Sequence, residues 1–428
     1  MKKFLDAMQS NLLIFDGSKG YMLQQEGLSG GESAEVWNIT HKDTLRNLYQ
    51  KYKDAGSDVI QTNTFQATGY HLGKYGYEDR LYDINYTAAK TAKEVMGDEG
   101  YVAASVGPLG RMMEPAGDLS FDEAYDLYKG QIKPLIDGGV NAVNFETFTD
   151  VAELRAAVLA VKDNWSDIPV IASVAFEQNK RTLMGTPAYI AGLILKTLGC
   201  EVIGTNCSFG PSHMLDIVKD MSKVGGPVCV KPNAGMPRIE QGHVIYDQTA
   251  EGFADACIDF TKYGAVLIGG CCGTTPEFIS ALKSKLSFVK ATQKDYKETN
   301  EVSSLTDTIV VDDYKSISKR VVDISCKEYI DIFKYVNQPE LMSLAFDIQD
   351  EACDIVEITA IDCEFPIQLE KSLDCMQGFI KKPFVFKTNQ SELLNKLLRI
   401  YRGRAGVVIC DNSVTNIVKK YGALPIII

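Results

Sequence analysis

The chain has 428 residues, a net charge of −12, 45% hydrophobic and 23% charged residues. That length suits two domains with well-filled cores and gives no compositional case for disorder. Acidic residues spread along the chain without a basic face exclude non-specific nucleic-acid binding, and no run of about 18 apolar residues reads as a membrane span. After Met1-Lys2-Lys3, the polar residues Asp6, Gln9 and Ser10 interrupt any apolar leader core, so a cytoplasmic protein is expected. Cysteines in that compartment stay reduced, and Cys200, Cys229, Cys257, Cys353 and Cys410 read as small buried hydrophobes.

From residue 12 to about 288 short apolar runs alternate with longer amphipathic ones. The strand-like runs are LLIFDG (12–17), DVIQTNTF (58–65), YVAASVGP (101–108), AVNFETF (142–148), VIASVAF (170–176), VIGTNCS (202–208), VCVKPNAG (228–235) and AVLIGGCCG (265–273). Their near-continuous Val and Ile content fits parallel strands buried on both faces. Between them, 79–95, 121–136, 150–161 and 250–263 carry apolar stripes at helical spacing, and Ser120 with Glu123 forms a capping box. Eight such units in about 280 residues point to a (β/α)8 TIM barrel within an α/β fold, with an open doubly wound sheet as the alternative. No GxGxxG follows the first strand, which disfavours a dinucleotide site.

Residues 291–313 are polar, lack long apolar periodicity and read as a linker between a 1–290 domain and a smaller 314–428 α/β domain. In the latter, 319–325, 354–360, 383–388 and 406–410 read as strands, with helices over 338–351, 368–379 and 391–401. Four or five βα units do not make a complete second barrel. Cys326, Cys353, Cys363, Cys375 and Cys410 show no metal-ligand spacing and read as core.

Active sites of such barrels lie at the C-terminal ends of the strands. Asp16, Thr62, Asn63, Glu146, Asn206, Cys207, Asn233, Cys271 and Cys272 fall there. Cys207 ends the sixth strand and Cys271-Cys272 the eighth, flanking the seventh, so three sulfurs converge over the barrel mouth. Adjacent strand cysteines would point to opposite faces, and Gly269, Gly270 and Gly273 are expected to supply the backbone freedom that turns both inward. Three thiolates and one open position suit a catalytic Zn2+. Buried free thiols, or a vicinal pair that oxidises, are the alternative, and the strand-end setting weighs against them. A zinc ion already carrying three anionic sulfurs is a poor generator of hydroxide but holds a fourth thiol as thiolate, which points to S-alkylation.

GTNCSFGP (204–211) and GGCCGTTPEF (269–278) resemble the two zinc-ligand signatures of the homocysteine S-methyltransferase family, in order and spacing. EVWNIT (35–40), AGSDVIQTNTF (55–65), ASVGPLG (104–110) and FETFTD (145–150) extend the resemblance across 8–290. It implies Cys207, Cys271 and Cys272 as zinc ligands, L-homocysteine as acceptor, Asp16 and Glu146 near its amino group, and Gly17-Ser18 amides near its carboxylate. PNAGMP (232–237) looks most like the homocysteine module of cobalamin-dependent methionine synthase. No Asp-x-His-x-x-Gly cobalamin signature occurs, so a methylcorrinoid such as methylcobalamin would come on a separate protein. The turn DGSKGY (16–21) departs from the family's DGAMGT-like sequence by placing Lys19 near the mouth. The C-terminal domain resembles a truncated pterin-binding barrel, with EITAID (357–362) and FKTNQS (386–391) where folate-binding residues would lie. It is read as having lost folate and as docking a corrinoid protein or forming a homodimer. Betaine or S-methylmethionine as donor, and a non-catalytic zinc barrel binding a methyltransferase partner, are the rival readings.

Overall fold

The computed structural model describes residues 3–240, 243–290, 292, 295–409 and 412–428. Cys410 lies outside the described residues, as do Ala291, Gln293 and Lys294 of the stretch read as a linker. The chain divides into two compact units, one of residues 1–110, 122–184 and 200–296, the other of 111–121, 185–199 and 297–428. Among the described residues no helix is long and apolar enough to cross a membrane.

The first unit holds eight parallel strands in the order one, eight, seven, six, five, four, three, two. The ends of this sheet meet through a parallel bridge between Phe15 and Val59, supported by Asp16 N–H to Val59 O (3.0 Å) and Asp58 N–H to Ile14 O (2.8 Å). The TIM-barrel-like expectation therefore holds. The strands run Leu13–Ile14, Val59–Gln61, Tyr101–Val106, Ala142–Phe148, Val170–Val174, Val202–Asn206, Val228–Lys231 and Ala265–Ile268. All their residues are buried except Thr147, which accounts for the lack of strict alternation in the sequence. Inward residues Phe15, Ala103, Ala142, Ile171, Cys229 and Leu267 form one core with Phe4, Ala7 and Met8 of the helix Phe4–Ser10.

The helices follow their sequence stripes. In Lys42–Asp54 the buried residues Leu45, Leu48, Tyr49 and Tyr52 recur at i, i+3, i+4 and i+7. Asp150 caps Val151–Asn164 by accepting from Ala152 N–H, as a side-chain oxygen at that position should. Phe121–Asp137 and Leu81–Met96 also lie where the periodicity places them.

In the second unit five parallel strands, Lys319–Asp323, Ile355–Thr359, Phe384–Lys387, Gly406–Val408 and Leu424–Ile426, pair in sequence order. The stretch read as a linker contributes an antiparallel hairpin, Glu301–Ser303 with Thr308–Val310. Val302 from it packs with Ile355, Val385, Val408 and Leu424 in a core of this unit's own. Short strands with few apolar residues leave little periodicity to read, which is why composition made this piece look unstructured. Cys200, Cys229, Cys257 and Cys363 are buried as read, whereas Cys353 and Cys375 are half-buried and Cys326 is exposed. Cys326 sits in the turn after the strand Lys319–Asp323, where its N–H reaches back to Asp323 O, so chain reversal rather than packing fixes it.

Candidate active site

Three strand ends bring the sulfurs together. The Sγ atoms of Cys207, Cys271 and Cys272 lie within 4.8 Å of one another, with Cys207 and Cys272 3.9 Å apart. Strand seven sits between them: Cys207 N–H donates to Lys231 O (3.0 Å), Cys271 N–H to Pro232 O (2.7 Å), and Ala234 N–H to Cys272 O (3.0 Å).

This convergence rests on uncommon backbone. Thr147, Cys207 and Ser208 have φ of +64°, +60° and +63°, a left-handed region that costs a non-glycine residue about 1–3 kcal/mol. Asn206 stabilises the first of these turns by accepting from Thr147 N–H and donating to Thr147 Oγ1, both at 2.7 Å. Its amide also reaches Cys271 Sγ at 3.7 Å. Asn233 accepts from Cys272 N–H at 3.1 Å. Of the glycines expected to supply freedom, only Gly273 is left-handed, at φ +78°. Gly270 is needed for space instead, because a Cβ there would meet the Thr274 side chain at 2.2 Å.

The three thiols share their protons unequally. Hydrogen bonds from Cys271 and Cys272 lower the Cys207 thiol to about 3, and the contact with Cys207 raises Cys271 to about 11 and raises Cys272 further. Away from the cluster, burial foremost pushes the Cys229 thiol up to about 12, with Lys231 offsetting part of it.

A cavity of ≈ 520 Å³ opens over the sulfurs, within the roughly 300–1,000 Å³ of small-molecule sites. Gly17, Ser18, Thr62, Asn63 and Glu146 line it with the three cysteines. Asp16, Asn206 and Asn233 do not; they stand behind the wall. Several lining groups are already committed. Ser18 N–H donates to Thr274 O at 3.0 Å, the Thr62 hydroxyl accepts from Ser105 N–H at 3.0 Å, and the Asn63 amide donates to Ala34 O at 2.6 Å. Helix Lys42–Asp54 braces the same loops, since Tyr49 Oη accepts from Asn63 N–H and Tyr52 Oη lies 2.9 Å from Ser18 O.

Both acids named for the substrate's amino group are paired with lysines. Asp16 is fully buried; its Oδ2 accepts from Lys19 Nζ at 2.7 Å and from Gln61 N–H at 2.9 Å. Burial pushes its carboxyl above the ordinary value, and Lys19 offsets only part of this. Glu146 accepts through Oε2 from Lys231 Nζ and through Oε1 from Gln61 Nε2 (2.6 Å) and Ser105 Oγ. Lys231 is 1% exposed. Burial lowers its ammonium, but Glu146 together with the Cys229 and Cys271 thiols outweighs that and holds it above the usual range. Its ammonium also lies 5.1 Å from the centre of the Phe15 ring.

Sequence reasoning missed Lys231, Gln61, Ser105 and Tyr246. Lys231 left a readable signal, a lone charge inside the apolar run VCVKPNAG. Tyr246 left none. It reaches the cavity from the hairpin of Pro237–Glu240 and His243–Tyr246, meets the Tyr21 ring edge-on at 6.2 Å, and covers Gly273, where a Cβ would meet its ring at 2.2 Å.

A model of the family described as homocysteine S-methyltransferase matches residues 13–286. The chain belongs to the homocysteine S-methyltransferase family. Methionine synthase of Mycobacterium tuberculosis is 32% identical over 319 residues, covering 70% of this chain and 27% of that protein. Methionine synthase of Mycobacterium leprae is 32% identical over 295 residues, covering 64% and 24%. The chain thus spans about a quarter of the length of these curated relatives. The homocysteine methyltransferase MmuM of Escherichia coli, in its metallated form, superposes with a TM-score of 0.56 at 21% identity, covering 65% of this chain and 97% of that one. Its oxidised form gives 0.56 at 22% identity. These structures share the barrel.

Sulfurs bound tetrahedrally at the ~2.3 Å of a zinc–thiolate bond sit about 3.8 Å apart. The 3.9 Å between Cys207 and Cys272 matches this spacing, so the donor set fits a metal of the soft, tetrahedral kind.

Proposed function

We propose that this chain transfers a methyl group to the sulfur of L-homocysteine, giving methionine, with zinc held by Cys207, Cys271 and Cys272. The observation that carries the reading is three sulfurs within 4.8 Å of one another on the wall of a cavity large enough for an amino acid. A bound zinc ion supplies one open position where a fourth thiol is held as thiolate, a form that is only a few per cent of a free thiol at neutral pH. A solved relative bearing the name homocysteine methyltransferase is described in a metallated form, which supports a metal here.

The remaining work falls to this chain's own residues. Asn206 and Asn233 fix the cysteine turns before any ligand arrives, so no reorganisation is required of them. Gly17, Ser18, Thr62 and Asn63 form the wall against which the amino-acid portion lies, and Glu146 closes the floor. Tyr21 and Tyr246 shield the sulfurs from bulk water on one side. The acceptor sulfur then attacks the donor's methyl carbon in line, and the donor leaves with the electrons of the broken bond.

For the donor we infer a methylated corrinoid carried by a separate protein. PNAGMP and GGCCGTTPEF resemble the homocysteine module of cobalamin-dependent methionine synthase. The C-terminal domain is read as docking that carrier.

Zinc-edge X-ray absorption of the purified protein with and without L-homocysteine tests the acceptor half. A change from three to four sulfur ligands is expected. A metal shell indifferent to homocysteine, or no zinc at all, would remove the reading. Turnover with betaine or S-methylmethionine alone, without a corrinoid protein, would remove the donor assignment.

A further inference from the structure

A methyl donor entering the cavity meets three protein sulfurs as well as the acceptor's. Cys207, Cys271 and Cys272 all line it and all are half-buried, and the thiolate is the form of sulfur that attacks. In the unwanted reaction a bond forms between a cysteine sulfur and the methyl carbon while the donor leaves with the electron pair. The product is a neutral thioether, no longer an anionic metal ligand, so each such event would disable the site.

One of the three sulfurs carries a restraint against this. Asn206 is fully buried at the end of the sixth strand, and its Oδ1 accepts from Thr147 N–H at 2.7 Å. Of its two amide N–H groups one goes to Thr147 Oγ1 at 2.7 Å and the other to Cys271 Sγ at 3.7 Å. The amide cannot be turned over, because the Thr147 N–H needs an oxygen. A nitrogen donor therefore faces Cys271. The buried Lys231 ammonium also feels the charge of Cys271, so a donor and a cation act on the same sulfur.

Building on the homocysteine reading above, we propose that Asn206 keeps the methyl group off Cys271. Its N–H occupies an electron pair with which that sulfur would attack, and hydrogen bonds to ionised groups are the stronger kind. The methyl then goes to the acceptor's sulfur. Asn206 is a positioning residue: it stands behind the cavity wall and acts through Cys271.

Iodomethane tests this on the zinc-loaded protein, with methylation of each cysteine followed by peptide mass spectrometry. That readout needs neither the acceptor nor the native donor. In the unaltered protein Cys271 should be methylated about tenfold or more slowly than Cys272, the size of one hydrogen bond to a charged group. Asn206→Asp keeps an oxygen for the Thr147 N–H and one for its hydroxyl but offers Cys271 no donor. In that variant Cys271 should speed up by a similar factor, with little change at Cys272. Equal rates at Cys271 and Cys272 in the unaltered protein would overturn the inference, and this comparison stands even if Asn206→Asp fails to fold or to hold zinc. A rise at all three cysteines alike in Asn206→Asp would also overturn it, because the asparagine would then only hold the site together. Neither result touches the proposed function, which zinc-edge absorption with homocysteine decides separately.

Discussion

Both units of this protein place polar residues at the C-terminal ends of parallel strands, and they use them differently. In the barrel these side chains converge on one cavity from strands that are far apart in the chain: Glu146 meets Lys231, Gln61 and Ser105, and Asn206 meets Thr147 and Cys271. In the second unit the polar groups pair over mostly shorter stretches of chain, from two to 43 positions. Asp323 accepts from Ser325 two residues on, Asp362 and Asn389 hold each other across neighbouring turns, and Glu357 takes the hydroxyls of Tyr314 and Thr359. Left-handed non-glycine residues divide similarly. Three of them gather at the barrel's sulfurs. A strand-end acid therefore signals a site when its hydrogen bonds cross the fold, and a turn when they stay local.

The largest expected effect of this difference is on metal retention. Cys272→Ala should leave less than about a tenth of the zinc, since a structural thiolate site is lost with one ligand, and should abolish methyl transfer while the circular dichroism spectrum is unchanged. Cys363→Ala in the second unit should retain full zinc. Equal zinc in the two variants, read by atomic absorption, would erase the distinction.

Stability should divide along the same line. Lys231→Met leaves Glu146 as an uncompensated buried charge and should cost about 3–5 kcal/mol in denaturant unfolding. Glu357→Gln keeps an acceptor for one of the two hydroxyls and turns the other contact into an amide N–H donated to that hydroxyl, at a cost of about 1 kcal/mol. A Lys231→Met protein as stable as Glu357→Gln would mean that the barrel's ion pair is not held as tightly as its burial implies.

A smaller effect comes from the barrel's His71, which burial foremost, with Lys74 beside it, lowers from 6.5 to about 4. The unfolded chain binds this proton more readily than the folded one. The stabilisation is therefore fully present above about pH 6.5 and is lost as pH falls towards 4, amounting to at most about 3 kcal/mol. His71→Gln should flatten stability between those limits in denaturant titrations at successive pH values. An unchanged slope would show that the imidazole is solvated.

Much of the barrel was legible because its strands are buried on both faces and its helices on one, and each pattern repeats eight times. The cysteines were legible because strand order in a closed barrel fixes which strand ends are neighbours. The second unit's sheet could be read for the same reason, but its hairpin could not, since three-residue strands carry too few side chains to show a period. Lys19 illustrates a different limit. Its position near the mouth was readable, but whether its charge faced the cavity or was spent on Asp16 depended on a rotamer.

The amino-acid sequence by itself determined the order of strands and helices, the convergence of Cys207, Cys271 and Cys272, and the family, because these follow from local periodicity and from motifs whose spacing the chain carries along its length. Tertiary structure alone decided which acids are neutralised and by which lysine, which loop brings Tyr246 over Gly273, and which named residues touch the cavity. Those outcomes depend on burial and on hydrogen bonds of a few ångströms between residues some 85 to 170 positions apart, and one-dimensional patterns do not encode such distances.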